Sequence, residues 1–412
     1  MSRFAALVSL VLACLALSAS HARAEVQRFA VIIGSNQGDG DEQALRYAES
    51  DAERVHTVLR ELGGFKPADM VLLQGQSART GEETLIAYNE RVRAALGQEG
   101  RQALLVVYYS GHADGDTLHL GGTRLSLRLL SQLVSGSAAT FRLLMLDACR
   151  AGVLTRTKGG RMVEGTPLTA ESVLPGHGLA VLAASASHED AQESDEIRGS
   201  YFTHALVSGL MGAADQDGDG AISLNEAYQY AYAATLRATS RTRFGSQHPT
   251  FRFEISGQGA VLLTQPEGYA KERALLEFPA ATGFLILRDD ATGAVVGELG
   301  PHDLRRGLSV RPGRYFVRGR GPDVLYEGVV TTSPGSSTQV ALDQLKRIEY
   351  ARLVRKGGGS DTRKTAHSLE AGAAMRSVLM NAATPCLGGF LAYVIERPQL
   401  GIGLRGGACT AS

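Results

Sequence analysis

The sequence has no excess of charge of either sign, because 42 Lys and Arg residues balance 42 Asp and Glu residues. A balanced chain has no strong attraction for a polyanion, so a nucleic acid is not expected as its partner. Apolar residues make up 44% of the 412 positions, which is enough for a sizeable core. A chain of this length is expected to form two or three domains.

The apolar stretch near the start of the chain is too short for a membrane-spanning helix. It has about 15 residues, whereas a spanning helix needs roughly 20. The basic start of residues 1–24 and the small residues Ala22 and Ala24 at their end are typical of a secretory signal peptide. Leu12 is bulky where lipoprotein signals carry a small residue. We therefore expect export to the periplasm, the cell envelope or the exterior of a bacterium.

Cysteine is also scarce, with four residues in the chain. Cleavage of the signal would remove Cys14. Cys386 and Cys409 lie close together in the sequence and are expected to form a disulfide in an oxidising compartment. Cys149 is then left without a partner. A lone thiol in an exported protein is either buried and inert or reactive, and composition does not choose between these.

Residues 28–265 alternate between strand and helix patterns. Helical periodicity covers residues 44–62 and 82–96. Short continuous apolar runs predict strands that are buried on both faces. These runs are residues 28–34, 69–75, 103–111, 141–147 and 178–185. The pattern predicts an α/β fold with a mostly parallel sheet between helices.

Two of these strands end in reactive side chains. The third ends in YYSGHAD, which places His112 just after a glycine, and the fourth ends in LDACRAG, which places Cys149 at a similar point. Sites in such sheets form at the carboxyl ends of the strands. If the two strands are neighbours, the imidazole and the thiol emerge side by side. A cysteine nucleophile needs such an imidazole to take its proton.

These motifs, in this order, resemble those of the caspase-like cysteine peptidases, which use a histidine–glycine turn and a Q-A-C-R-G type turn. Asp147 stands where animal caspases have glutamine, so the chain is more similar to the metacaspases and related bacterial enzymes. The resemblance covers roughly residues 27–265. It includes LRYAESDAERV at 45–55 and AASASHEDAQESDEIRGSYFTHALVSGL at 183–210. It implies a caspase-like fold and cysteine endopeptidase activity.

The resemblance also implies a catalytic role for each residue of the two turns. Cys149 would attack the scissile carbonyl, and His112 would protonate the leaving amine and later activate water. The backbone N–H groups of Cys149 and Ala113 would stabilise the oxyanion. Relatives commonly have glycine at the position of Ala113, and the extra methyl group could crowd this site.

Three further positions match the specificity residues of metacaspase-like enzymes: Asp51, Ser110 and Asp147. An acidic pocket implies peptide or protein substrates with Arg or Lys before the cleaved bond. Other interpretations remain open for two of the three. Asp51 could cap or solvate a helix, and Ser110 could bond to its own turn.

A second motif is independent of the catalytic turns. Residues 215–226, DQDGDGAISLNE, match the calcium-loop pattern D-x-D-x-D-G-x5-E. The pattern predicts a Ca²⁺ ion held by carboxylates, one backbone carbonyl and one residue that acts through water. The expected ligands are Asp215, Asp217, Asp219, Ala221, Ser223 and Glu226. The alternative is an acidic surface turn. The remaining histidines, His119 among them, show no metal-ligand spacing.

A long glycine-containing segment follows Cys149, and it carries the basic residues Arg156, Lys158 and Arg161. Exposed loops are where proteases cut, and the matching segment is often the processing site in caspase-like relatives. We expect self-cleavage after one of these three residues. The alternative is a solvated basic loop that is never cut.

The expected domain organisation is a signal peptide (1–24), the peptidase domain (25–265), a small β-sandwich-like module (270–345), a linker (346–365) and a C-terminal β-like tail (366–412). We interpret the tail as a hairpin linked by the Cys386–Cys409 disulfide. Membrane association of the tail is left open.

Two function classes remain at this stage. One is an exported, calcium-binding cysteine endopeptidase. The other is a non-catalytic surface, adhesion or scaffold protein built on the same fold.

Overall fold

The computed structural model describes residues 26–40, 42–97, 101–155, 176–240, 242–257, 260–350, 366–376, 386–397 and 400–410. Contacts divide the chain into two units, Met1–Glu349 and Tyr350–Ser412. The predicted signal peptide and the three predicted processing residues, Arg156, Lys158 and Arg161, lie outside the described residues. Within the described residues, no helix combines the length and apolar character that crossing a membrane requires.

The first part of the chain alternates strands and helices as its apolar pattern predicts. The elements are β1 (Val26–Gly34), α1 (Ala48–Leu62), β2 (Met70–Gln74), α2 (Ala78–Ala95), β3 (Gln102–Ser110), β4 (His112–Ala113), β5 (Thr117–Leu120), β6 (Thr123–Ser126), α3 (Leu127–Ser135), β7 (Phe141–Asp147), β8 (Gly176–Ala183), β9 (Glu193–Ser194), β10 (Gly199–Ser200), α4 (Tyr201–Ser208), β11 (Ile222–Ser223), α5 (Leu224–Thr239) and β12 (Thr250–Gly257).

Six strands form the central sheet, in the order β12-β8-β7-β3-β1-β2. All neighbouring pairs are parallel except β12 with β8. Strands β3 and β7 are adjacent, and Ser110 is the register partner of Asp147 at their carboxyl ends. The predicted fold class is therefore confirmed: a mixed, mostly parallel sheet lies between helices.

The two faces of the sheet carry separate cores, which explains the continuous apolar runs of the strands. In β1, Ala30 and Ile32 belong to one core and Val31 and Ile33 to the other. The first core includes residues of α1, α4 and α5, and the second includes residues of α2 and α3. Helices thus cover both faces of the sheet, so a site on the sheet can form only at the ends of its strands.

Serine residues begin four of the helices. The side chains of Ser77, Ser126, Ser200 and Ser223 accept hydrogen bonds from the first-turn N–H groups of α2, α3, α4 and α5. Such caps satisfy donors that have no partner within the helix. At α5, Glu226 completes a capping box with Ser223.

The region after β12 consists of short strands, as expected from its Gly and Pro turns. They are β13 (Leu262–Thr264), β14 (Ala274–Glu277), β15 (Gly283–Arg288), β16 (Val295–Leu299), β17 (Gly307–Val310), β18 (Gly313–Arg320), β19 (Val324–Thr332), β20 (Ser337–Gln339) and β21 (Lys346–Glu349). Two sheets form, β17-β14-β20 and β16-β15-β18-β19-β21. Buried residues of both, such as Leu308 and Val317, share a core with the peptidase domain.

The second unit contains three strands where the sequence suggested two. They are β22 (Ala366–Arg376), β23 (Cys386–Arg397) and β24 (Leu400–Thr410), paired in that order as an antiparallel sheet. Cys386 and Cys409 lie on the adjacent strands β23 and β24. Their side chains lie outside the described part of the structure, so the disulfide stays a prediction.

Candidate active site

A sharp turn after β3 displays His112. A Cβ atom at Gly111 would overlap with the hydroxyl group of Tyr109 and approach the carbonyl of Ser35. Tyr109 is fully buried, and its hydroxyl donates to the carbonyls of His112 and His119 at 2.7 and 2.9 Å. Glycine at 111 therefore lets the chain fold back over this tyrosine.

A second turn, after β7, displays Cys149. Arg150 adopts a positive φ of 57°, which reverses the chain directly after the thiol. A Cβ atom at Gly152 would overlap with the backbone of residues 185–187, so the loop can pack there only with glycine. The hydroxyl group of Ser185 donates to the Ala148 carbonyl at 3.1 Å and stabilises the turn.

The two turns lie beside each other at the carboxyl edge of the sheet. Gly111 N donates to the carbonyl of Asp147 at 3.2 Å, which links the histidine turn to the end of β7. Burial raises the pKa of Tyr109 well above its usual value and the charge of Cys149 adds to the shift, so the thiol lies near the hydroxyl group that contacts the His112 carbonyl. The structure therefore brings the predicted nucleophile and the predicted base into one site.

The imidazole of His112 is held by the loop that follows β1. Its Nε2 lies 3.0 Å from the carbonyl of Gln43, and its Nδ1 lies 3.8 Å from Oε1 of Glu42. A Cβ atom at Gly38 would overlap with the side chains of both Glu42 and His112. With Nε2 engaged by a carbonyl, Nδ1 is the nitrogen that remains for proton exchange with a thiol.

Cys149 is a free, partly buried thiol. Burial raises its pKa to about 11, a hydrogen bond from the backbone of Ala191 opposes this shift, and the charges of Asp190 and Asp147 add to it. The thiolate is the nucleophilic form of cysteine. Its formation at neutral pH therefore requires proton transfer to a neighbouring base.

Asp147 is buried at the base of this site. Its Oδ2 accepts from the hydroxyl group of Thr203 at 2.5 Å, and the Tyr108 hydroxyl lies 2.5 Å from the same threonine oxygen. Burial raises the pKa of Asp147 to about 6, although hydrogen bonds from Ser200 and Thr203 oppose the shift. Within the described residues, no basic side chain forms an ion pair with Asp147.

Asp51, on the first turn of α1, is buried in the same cluster. It accepts from the backbone N–H of Ser200 at 2.8 Å and contacts Arg54 at 3.4 Å. Burial raises its pKa to about 8; the charge of Arg54 opposes the shift and that of Asp147 adds to it. Ser110 is also buried and hydrogen-bonds to Tyr108. The structure thus brings all three predicted specificity residues together.

Sequence reasoning missed several residues around these two acids. Glu193 is half-buried, and its charge raises the pKa of both Asp51 and Asp147. Arg54 also lies 2.9 Å from Nδ1 of His204, which in turn contacts Glu298 on β16 at 3.2 Å. Of these residues, only Glu193 belongs to a recognisable sequence feature, the acidic run at 193–196. An isolated Arg or Thr forms no pattern that would mark it as part of a site.

The predicted calcium loop has the internal hydrogen bonds that a compact acidic loop needs. Asp215 accepts from Gly218 N, Asp217 from Asp219 N, and Asp219 from Ala221 N, at 2.7 to 3.1 Å. Carboxylate oxygens of the three aspartates lie within 4.8 Å of one another. This spacing suits shared binding of one hard cation.

Two further contacts surround the loop. Glu226 accepts from Gln216 N at 3.0 Å and from Ser223 N at 2.9 Å, so its carboxylate faces both ends of the loop. Arg305 contacts Asp215 from the β17 side, with its Nε 3.1 Å from the Asp215 carbonyl and 3.6 Å from Oδ2. A basic side chain thus occupies part of the space around the acids.

Comparisons with known proteins give a family match and a similar solved structure. A family model described as the caspase domain matches residues 27–254. Among solved structures, caspase-1 from Spodoptera frugiperda is similar at 14% identity, with a TM-score of 0.42, covering 59% of this chain and 93% of that one. No curated protein shows significant similarity in sequence.

Proposed function

The chain belongs to the caspase-domain family of cysteine peptidases, and on that premise we propose that it is an exported endopeptidase that cuts after Arg or Lys. One observation supports the proposed preference for Arg or Lys before the cleaved bond. Asp51 and Asp147 are buried in one cluster, and among the described residues the arginine that forms an ion pair there, Arg54, contacts Asp51 and not Asp147. A substrate cation would supply the missing counter-charge.

The proposed mechanism uses the two turns. The thiol proton of Cys149 passes to Nδ1 of His112, and the thiolate attacks the scissile carbonyl to form an acyl-enzyme. His112 then protonates the leaving amine and activates the hydrolytic water. The N–H groups of Cys149 and Ala113 would face the oxyanion. Ala113 is buried in β4, so its methyl group is accommodated within the fold.

Covalent labelling tests this proposal directly. A peptidyl-arginine chloromethyl ketone should modify Cys149, and a peptidyl-aspartate ketone of the same length should not. Mass spectrometry of the digested protein would locate the label, with Cys149→Ala as the control. Equal labelling by both ketones would refute the basic specificity, and no labelling by either would refute the peptidase function.

The raised pKa of Cys149 favours one alternative, a non-catalytic scaffold of the same fold. In that case the thiol would remain protonated and inert at neutral pH. Iodoacetamide discriminates between the two, since an activated thiol reacts far faster than an ordinary buried one.

We also propose that the loop of residues 215–226 binds Ca²⁺ when the ion is present. The side chains of Asp215, Asp217, Asp219 and Glu226, the carbonyl of Ala221 and Ser223 through a water would hold it. The ion would supply positive charge that offsets the mutual repulsion of the four carboxylates. The spacing of the aspartate oxygens supports this assignment.

We also propose that the protein is activated by self-cleavage. Self-cleavage after Arg156, Lys158 or Arg161 would separate two fragments that stay associated, since β7 and β8 are paired in the central sheet. Incubation of the mature protein should produce a new N-terminus between residues 157 and 162. The proposal of self-cleavage fails if Cys149→Ala is cut at the same rate.

A further inference from the structure

Glu42 lies between two histidines. Its Oε2 is 2.6 Å from Nδ1 of His119, and its Oε1 is 3.8 Å from Nδ1 of His112. His112 and His119 are direct partners across β4 and β5. The Tyr109 hydroxyl also contacts the carbonyls of both histidines. One carboxylate is thereby held beside the imidazole that must accept the Cys149 proton.

The position of Glu42 is fixed by several contacts. The N–H of Asp39 donates to its Oε2 at 2.7 Å, and His119 is almost fully buried. Burial opposes ionisation of Glu42, but the hydrogen bonds from Asp39 and His119 and the charges of both histidines lower its pKa. Glu42 is therefore an ordered, ionised group.

The charges around Glu42 leave the cluster negative. His119 has oxygen acceptors at both ring nitrogens, because Nε2 lies 3.2 Å from Thr117 Oγ1 and 3.4 Å from Asp114 Oδ2. Arg124 pairs with Asp39 and lies 3.8 Å from Asp114. The negative charges outnumber the positive ones in this cluster. Three carboxylates, those of Asp39, Glu42 and Asp114, face two positive charges, those of Arg124 and of His119 in its protonated form.

This surplus of negative charge lies where the reaction produces a cation. When the S–H bond of Cys149 breaks and an N–H bond forms on His112, the products are a thiolate and an imidazolium. Burial and the charges of Asp190 and Asp147 disfavour the Cys149 thiolate more than the backbone hydrogen bond of Ala191 and the charge of Arg150 favour it, so the pKa of the thiol is raised. Stabilisation of the ion pair must therefore come from the histidine side.

We propose that Glu42, fixed by His119, stabilises the protonated form of His112 and thereby sustains the Cys149 thiolate. The 3.8 Å separation means that Glu42 acts through its charge and not through a hydrogen bond. It is a positioning residue for the nucleophile, and this role rests on the proposed peptidase function.

Alkylation of Cys149 by iodoacetamide tests the proposal without a peptide substrate. The rate is measured on the mature protein from about pH 6 to about pH 10, with Cys149→Ala to subtract other reactions. We expect Glu42→Gln to react about tenfold more slowly near neutral pH. The two rates should converge toward alkaline pH, where the thiol ionises without help from His112.

Two variants separate charge from loop structure. Glu49→Gln disturbs the same loop, because Glu49 accepts from Asn36 N at 3.2 Å, but it leaves the charge beside His112 in place. It should react at the wild-type rate. Glu42→Asp draws the charge back by one methylene group and should lose about threefold near neutral pH. If Glu42→Gln does not fold, the alkylation rates of Glu42→Asp and the wild type are compared instead.

The proposal is overturned if both Glu42 variants react at the wild-type rate or lose the same factor at every pH. It is also overturned if Glu49→Gln shows the loss expected of Glu42→Gln. A chain that shows the expected alkylation profile but does not cleave after Arg or Lys would refute only the substrate specificity.

Discussion

Asp51 of α1 and Asp147 at the end of β7 share one buried cluster, in which burial raises the pKa of Asp51 to about 8 and the charge of Asp147 adds to that shift. Both acids contact the start of α4. The N–H of Ser200 donates to Asp51, and the hydroxyl group of Thr203 donates to Asp147. Two acids that repel each other are thus held together by the helix start, and a bound cation would relieve the repulsion.

Replacement of Asp147 should affect substrate binding more than folding. In Asp147→Asn the isosteric amide can still accept from Thr203, but the charge is lost. We expect kcat/KM for a peptidyl-arginine substrate to fall at least about 30-fold, which corresponds to the loss of about 2 kcal/mol from a desolvated charge pair. Asp195→Asn is the matched control, because Asp195 is exposed and, among the described residues, pairs with Arg46 and Tyr47 and not with the buried acids. Equal losses in both variants would contradict the assignment.

The pH dependence of cation binding should report on Asp51. Benzamidine carries an amidinium group that stays charged across the range, and it should compete with basic substrates. Because the ionised form of Asp51 binds the cation and its pKa is raised to about 8, binding should tighten as pH rises through 8. We expect the inhibition constant to fall about 30-fold between about pH 6.5 and about pH 9, because the ionised fraction of Asp51 rises by about that factor.

Asp51→Asn provides the comparison for this titration. The variant should bind benzamidine with little change over the same range. A wild-type constant that does not change with pH, or a variant that shows the wild-type slope, would assign the titration to another group.

Asp147→Asn should also stabilise the protein above about pH 6. The folded-state pKa of Asp147 is raised to about 6 from an ordinary value of 3.8, so the folded state retains its proton more tightly than the unfolded chain. The wild type therefore loses stability as pH rises from about 4 to about 6, and the asparagine variant is spared this loss. The difference is on the order of 3 kcal/mol above pH 6 and should vanish near pH 4.

Thermal melting at several pH values measures this difference. A variant that is less stable than the wild type at every pH would show that Asp147 mainly anchors α4. A variant that gains stability while losing substrate binding would match the usual trade-off between stability and function at a binding site.

Calcium should raise the melting temperature of the wild type, and EDTA should reverse the gain, because an ion that binds only the folded state stabilises it by mass action. Glu226→Gln should remove most of this effect. Glutamine can keep the capping box with Ser223, so the variant loses a metal ligand and keeps the start of α5. Asp343→Asn, an exposed acid outside the loop, should respond to calcium like the wild type. Melting curves that respond to neither calcium nor EDTA would exclude the site.

Local patterns in the sequence were sufficient to predict the fold and to place the two candidate catalytic residues at the same edge of the sheet. Continuous apolar runs predicted strands covered on both faces, and the two cores confirm that arrangement. The motifs that end β3 and β7 predicted that His112 and Cys149 follow neighbouring strands, and β3 and β7 are indeed adjacent and parallel, so both turns lie at one edge of the sheet. The calcium-loop motif was also recognisable in the sequence because its acids lie within one short segment, and the binding of Ca²⁺ there stays a prediction.

Tertiary structure alone decided which charges act on these residues. Glu42 lies beside His112 because the loop after β1 packs over the end of β3. Glu193 of β9 lies near Asp51 and Asp147 because it pairs with Ser200, the residue of β10 that caps α4. An isolated Glu or His has no periodic pattern, so its burial and its neighbours follow only from long-range packing. Burial and neighbouring charge are also what shift a pKa. A candidate nucleophile could therefore be proposed from the sequence alone, whereas the ionisation of its thiol is set by residues brought together through folding.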